Sequence, residues 1–189
     1  MVRLILASNS PRRKQILTDL GLDFEIIPSN YDEKLETDTF SYDLIEDLAT
    51  QKALDVVRRV GKDEIVLGAD TVVVLHNKIL GKPKDKEDAF RMLRELSGQT
   101  HMVVTALCGI NTKLNSARLL STTSYVRFKE LPDELINYYI DEFNPLDKAG
   151  SYGIQELPEG ILDKYEGSVE NIVGLAPEAV TAMLKEFGY

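Results

Sequence analysis

Cysteine occurs once, histidine twice, and no apolar run approaches the length of a membrane span. The lone Cys108 excludes an intrachain disulfide and fits a reducing compartment. His76 and His101 have no metal-ligand spacing to each other or to Cys108. Both histidines therefore read as structural, and Cys108 as a small buried hydrophobe. Positive charge is scarce: 22 Lys and Arg stand against 31 Asp and Glu, a net charge of −9. Such a surface repels a phosphate backbone and anionic lipid, which disfavours nucleic-acid and membrane partners. The opening Met1–Ala7 stretch is too short for a signal-peptide core. These absences point to a soluble cytoplasmic protein.

What is present is a globular balance, with 43% hydrophobic and 28% charged residues in 189. The length predicts one domain over residues 1–189, compact or two-lobed, with a core that needs no covalent staples. Strands and helices alternate, which argues for an α/β fold on a mixed β-sheet flanked by helices. Strands are expected at 2–7, 24–27, 64–75, 79–80, 101–110 and 119–128, with a turn at 76–78. Ser10 and Pro11 mark the start of a helix that Gly21 ends. Ser41 caps a longer helix to about Val60. Asp85, Pro132 and Pro177 open three more, and residues 150–167 read as loop and short strand.

Several residues stand out against this background. Ser8-Asn-Ser-Pro-Arg-Arg13 lies between a strand end and a helix start, where backbone N–H groups favour an anion. Arg12 and Arg13 oppose the macrodipole there; an anionic ligand would resolve the conflict, but so would plain solvation. Lys52 falls on the apolar stripe of Ile45, Leu48, Ala49, Ala53 and Val56, so it must snorkel past a partner carboxylate or meet an anion. Asp70 interrupts the apolar run 65–74, where a carboxylate is costly unless paired, protonated or bound to metal. Its candidate roles are general base and metal ligand, against a locally bonded Asp in a bulge. Gly68 lets a ligand or a backbone approach closely. Lys82, in Gly81-Lys-Pro83, suits a phosphate or an ordinary turn. Glu33 sits in an acidic loop, and Gln155 ends a glycine-rich polar segment able to read a base edge. Cations with carboxylates that can hold a divalent ion suit a polyphosphate.

In order and spacing, Leu4–Arg13, Gly68–Thr71, Gly81–Pro83, Leu96–His101, Asp147–Gln155 and Val173–Leu175 resemble the Maf family of nucleoside triphosphate pyrophosphatases. The resemblance implies an elongated fold on a strongly curved mixed sheet, with a central cleft between two lobes. It implies a cytoplasmic homodimer that cleaves a nucleoside triphosphate to monophosphate and pyrophosphate with Mg2+ or Mn2+. By motif position, Asp70 is the proton acceptor. Ser8, Arg13, Lys52 and Lys82 bind phosphates, and Glu33 and Asp70 hold the metal. Arg12, Thr71 and Gln155 match specificity positions of a dTTP/UTP-cleaving branch, with CTP and modified pyrimidine nucleotides as further candidates. Val169, Ala176 and Glu156 depart from the family pattern. The competing readings are a non-catalytic nucleotide-binding regulator of cell division or septum formation, and a protein-interaction module using the acidic surface.

Overall fold

A computed structural model describes residues 2–32 and 37–189. At its centre lies β3 (Glu64–Leu75), buried at every position except Thr71, which is half-buried. Ile, Val and Leu dominate it, and their branched side chains suit a pleated surface packed on both sides. β1 (Arg3–Leu6) runs parallel to its first part, from Arg3 opposite Glu64 to Leu6 opposite Leu67, with β2 (Glu25–Ile26) outside it. β4 (Lys78–Leu80) turns back antiparallel on the last part, Val73 facing Leu80. The turn between them uses His76 and Asn77 at φ 48° and 65°, a left-handed geometry that asparagine tolerates. The other edge carries β5 (Thr100–Asn111), then β6 (Ser116–Phe128) and β7 (Leu162–Glu166), all antiparallel. The sheet, seven-stranded among the described residues, is therefore mixed, as the alternating pattern predicts.

Among the described residues six α-helices cover it: α1 (Pro11–Asp19), α2 (Tyr42–Val57), α3 (Lys86–Leu96), α4 (Asp133–Phe143), α5 (Val169–Val173) and α6 (Pro177–Glu186). The expected caps are in place. Ser10, Ser41 and Asp85 each accept a backbone N–H in the first turn, from Arg13, Leu44 and Asp88. Each such cap is worth about 1 kcal/mol. α2 stops at Val57 rather than Val60, because the N–H groups of Arg59 and Val60 turn back onto the carbonyls of Val56 and Val57. β2 is two residues long, shorter than the expected 24–27, since it pairs only with Ile5 and Leu6 before β1 ends. β6 starts at Ser116, earlier than expected, because the β5 ladder continues to Asn111 opposite Ser116.

Successive side chains of β3 face opposite sides. Val66, Val72 and Val74 pack against Ile45, Leu48 and Ala53 of α2. On the other side Ile65, Leu67 and Ala69 join Leu17 of α1 and Val180 and Met183 of α6. Further along that side, Val73 and Leu75 join a separate core with Leu93 of α3, Tyr139 of α4 and Phe128. Full burial of each such aliphatic side chain contributes about 1.5–3 kcal/mol. Thr71 falls between the two cores, and this division makes the two lobes.

Candidate active site

Two gaps in the architecture coincide. On one face of β3 the cores part at Thr71. Along one edge β1 ends opposite Leu67 and β4 ends opposite Val73, so residues 68–72 have no strand beside them there among the described residues. Open α/β sheets bind ligands in such crevices, beyond the carboxyl ends of their strands. Here the crevice is a cleft of about 410 Å³. It is lined by the end of β1, the start of α1, the segment 147–155 and the end of α5, together with β3 and Lys52.

Gly68 sets the geometry of one wall. A Cβ there would lie 2.4 Å from the Ala49 carbonyl oxygen and 2.6 Å from the Ala53 nitrogen. Only glycine lets α2 settle this close, so the close approach is to a backbone rather than to a ligand. Asp70, two residues on, faces the same side of β3. Lys52 on α2 therefore meets it: Nζ lies 2.5 Å from Oδ1, with both side chains about nine-tenths buried. Asp70 is not in a bulge; it sits in an unbroken ladder opposite Ala106. The snorkelling alternative for Lys52 thus resolves in a particular way, since the partner carboxylate is Asp70 itself. The ammonium offsets the desolvation of the carboxylate, and removing either partner alone from such a pair costs about 3–5 kcal/mol.

Arg13 is buried, not solvated. Its Nε donates to the Gly174 carbonyl at 2.9 Å, one terminal nitrogen to Thr71 Oγ1 at 2.9 Å and the other to Ser8 Oγ at 3.3 Å. A carbonyl and two hydroxyls thus hold the cation that opposes the helix dipole. Arg12 points to the other wall, 3.6 Å from Asp147. Lys148, also buried, lies 2.9 Å from Asp147 and 3.2 Å from Glu156. Burial works to raise the Asp147 carboxyl, but the hydrogen bond and charge of Lys148, with Arg12, bring it below its ordinary value. Lys82 and Gln155 are exposed residues at the rim.

Ser8, Arg12, Arg13, Lys52, Asp70, Thr71, Lys82 and Gln155 all line this one cleft. Glu33, the other expected metal ligand, lies outside the described residues. Among the described residues the lining carries five cationic side chains and two carboxylates, Asp70 and Asp147, in a protein of net charge −9. Sequence reasoning gave no role to Lys148 or Gly174 and missed the short helix α5. For Lys148 the signal was a lysine inside a motif-like, glycine-rich polar segment. For α5 it was Ser168, whose side chain accepts from Asn171 N.

The family model described as Maf-like protein matches residues 3–187. The chain belongs to the Maf family. Among the relatives it resembles over nearly full length are two named dTTP/UTP pyrophosphatase. The protein from Acetivibrio thermocellus is 45% identical, covering 100% of this chain and 96% of its own. That from Alkaliphilus oremlandii is 43% identical, covering 93% and 91%. Among solved structures the Maf chain is similar to a nucleoside-triphosphatase (dITP/XTP pyrophosphatase) from Mycobacterium abscessus. That likeness has 16% identity, coverage of 98% and 94%, and a TM-score of 0.49, too distant to bear on fold or function.

Proposed function

We propose that this chain hydrolyses nucleoside triphosphates to monophosphate and pyrophosphate, with dTTP and UTP as the preferred substrates. The observation that carries the reading is the Lys52–Asp70 pair, held at 2.5 Å inside a cleft lined by cations. The names of the relatives support the substrate class, and Arg12 and Gln155 at the cleft support the pyrimidine branch, whereas the Thr71 hydroxyl is engaged by Arg13 and Thr105.

The triphosphate lies along Ser8, the α1 N-terminus, Arg13, Lys52 and Lys82. Water attacks the α-phosphorus; its oxygen bonds to phosphorus, the bond to the bridging oxygen of the β-phosphate breaks, and pyrophosphate leaves. Asp70 takes the water proton while Lys52 fixes its Oδ1, a general-base contribution of about 10²–10⁴-fold. The cations stabilise charge on the transferring and departing oxygens.

The chain's residues fit a divalent cation only in part. No cluster of three His, Cys, Asp or Glu occurs among the described residues. Mg2+ in nucleotide enzymes needs only one or two carboxylates beside the substrate phosphates. Asp70 and Glu33 would hold such an ion, which supplies Lewis-acid neutralisation of the phosphate oxygens. The family resemblance extends the proposal to a cytoplasmic homodimer.

A binding-only regulator has no use for a buried carboxylate facing the phosphates, which favours the hydrolase. The test is a panel of purine and pyrimidine triphosphates with Mg2+ or Mn2+, assayed for pyrophosphate and orthophosphate. Pyrophosphate as first product, fastest from dTTP and UTP, is expected. Orthophosphate as first product, or tight binding with no turnover, refutes the reading.

A further inference from the structure

Thr105 lies on β5 directly across the ladder from Thr71, and it is buried without lining the cleft. The two hydroxyl oxygens are 2.9 Å apart. Thr71 Oγ1 also accepts from Arg13 at 2.9 Å and lies 3.2 Å from the Gly174 carbonyl. Thr105 Oγ1 in turn lies 3.2 Å from the Asn171 carbonyl. A hydroxyl has one proton and two lone pairs, and a carbonyl only accepts. Two arrangements satisfy the Thr71–Thr105 contact. Either Thr105 donates to Thr71 and Thr71 to Gly174, or Thr71 donates to Thr105 and Thr105 to Asn171. In both, the Thr71 proton stays within the protein and its oxygen holds Arg13. Thr71 thus acts on the cleft through Arg13 rather than by donating to a ligand.

Asn171 anchors the far end. It is fully buried, and its Nδ2 donates to the Val103 carbonyl at 3.1 Å and to Ser124 Oγ at 3.0 Å. The Gly174 carbonyl that receives Arg13 Nε follows three residues later, so one chain of polar contacts fixes two partners of the guanidinium, Thr71 and Gly174.

The structure assigns Thr105 as a positioning residue: through Thr71 it orients the Arg13 guanidinium and the turn at Gly174 that closes the phosphate end of the cleft. It rests on the phosphate-site reading above. Thr105 touches no substrate, so its loss misplaces a cation whose worth is greatest where charge develops. Every nucleoside triphosphate shares those phosphates, so the effect is uniform across bases.

The test compares Thr105→Val and Thr105→Ser with wild type, below the unfolding temperature of each. Thr105→Val is expected to lower kcat about tenfold to a hundredfold on dTTP and UTP alike, with KM moving less than about threefold. Thr105→Ser, which restores the hydroxyl, is expected within about threefold of wild type. Wild-type kcat in Thr105→Val, or a loss that Thr105→Ser does not reverse, overturns the proposal. A second readout needs no turnover: exchange of the Arg13 Nε–H with solvent, followed by NMR and assigned by its disappearance in Arg13→Lys. At least about tenfold faster exchange in Thr105→Val is expected, since the hydrogen bond sheltering it is loosened. Unchanged exchange overturns the proposal. Should wild type release no pyrophosphate, the hydrolase reading fails and the exchange result alone decides the role of Thr105.

Discussion

Lys52–Asp70 and His101–Tyr152 are both buried polar pairs that join distant parts of the chain, yet they are built in opposite ways. The first joins α2 to β3, carries two full charges at 2.5 Å, and faces the cleft among further cations. The second joins β5 to the segment 149–156 through a hydrogen bond of 2.7 Å between Nε2 and the phenol oxygen. Phe128 packs edge-on against both its rings, at 5.1 Å and 4.9 Å. Burial drives the His101 pKa down to about 4 and raises that of Tyr152. The neutral pair therefore stiffens a lobe and offers no charge at neutral pH. Buried ion pairs are often replaceable by neutral packing without loss of stability, so this one makes sense where a carboxylate must face a ligand.

Asp70→Asn breaks this contrast most sharply, since it keeps the shape and removes the base. Turnover on dTTP or UTP is expected to fall about 10²–10⁴-fold, measured as pyrophosphate release. Wild-type turnover in this variant would remove Asp70 from the chemistry.

The neutral pair is probed by acid. Below pH 6.5 the unfolded chain takes up a proton at His101 that the folded protein resists until about pH 4. Stability is thus complete above that window and falls as pH drops through it, by about 3 kcal/mol in all. Urea unfolding midpoints measured from pH 7 to pH 4 should show the fall, and His101→Gln should flatten it. Asp55, Asp88 and Asp147, held below their ordinary value, add their own losses from about pH 5 downward.

Gly68→Ala tests how the ionic pair is assembled. The new Cβ meets backbone atoms of Ala49 and Ala53, so α2 must lift from β3 and carry Lys52 away from Asp70. A stability loss of about 1–3 kcal/mol by denaturant unfolding is expected, together with slower turnover. Full activity at wild-type stability would show that α2 does not depend on Gly68 for its seat.

Local patterns in the sequence carried far. The branched run from Glu64 to Leu75 marks β3 to its end residues, and Lys52 stands out on the α2 stripe because 3.6-residue periodicity is a local property. The cap residues Ser10, Ser41 and Asp85 were readable for the same reason. What lay beyond reach depends on contacts far apart in the chain. Nothing near Arg13 announces that Gly174, 161 residues away, receives its Nε, or that Thr71 receives a terminal nitrogen. The five-residue helix α5 is too short to show a period, yet it delivers Asn171 and Gly174 to the site. Without the pairing limits of β1 and β4, the open edge at 68–72 had no local sign either.

The central claim is that this cleft directs water to the α-phosphorus of a nucleoside triphosphate. A turnover in 18O-labelled water, with the products resolved by mass spectrometry, tests it most directly. The label is expected in the nucleoside monophosphate, with unlabelled pyrophosphate. Label in pyrophosphate would mean attack at the β-phosphorus and would contradict the account.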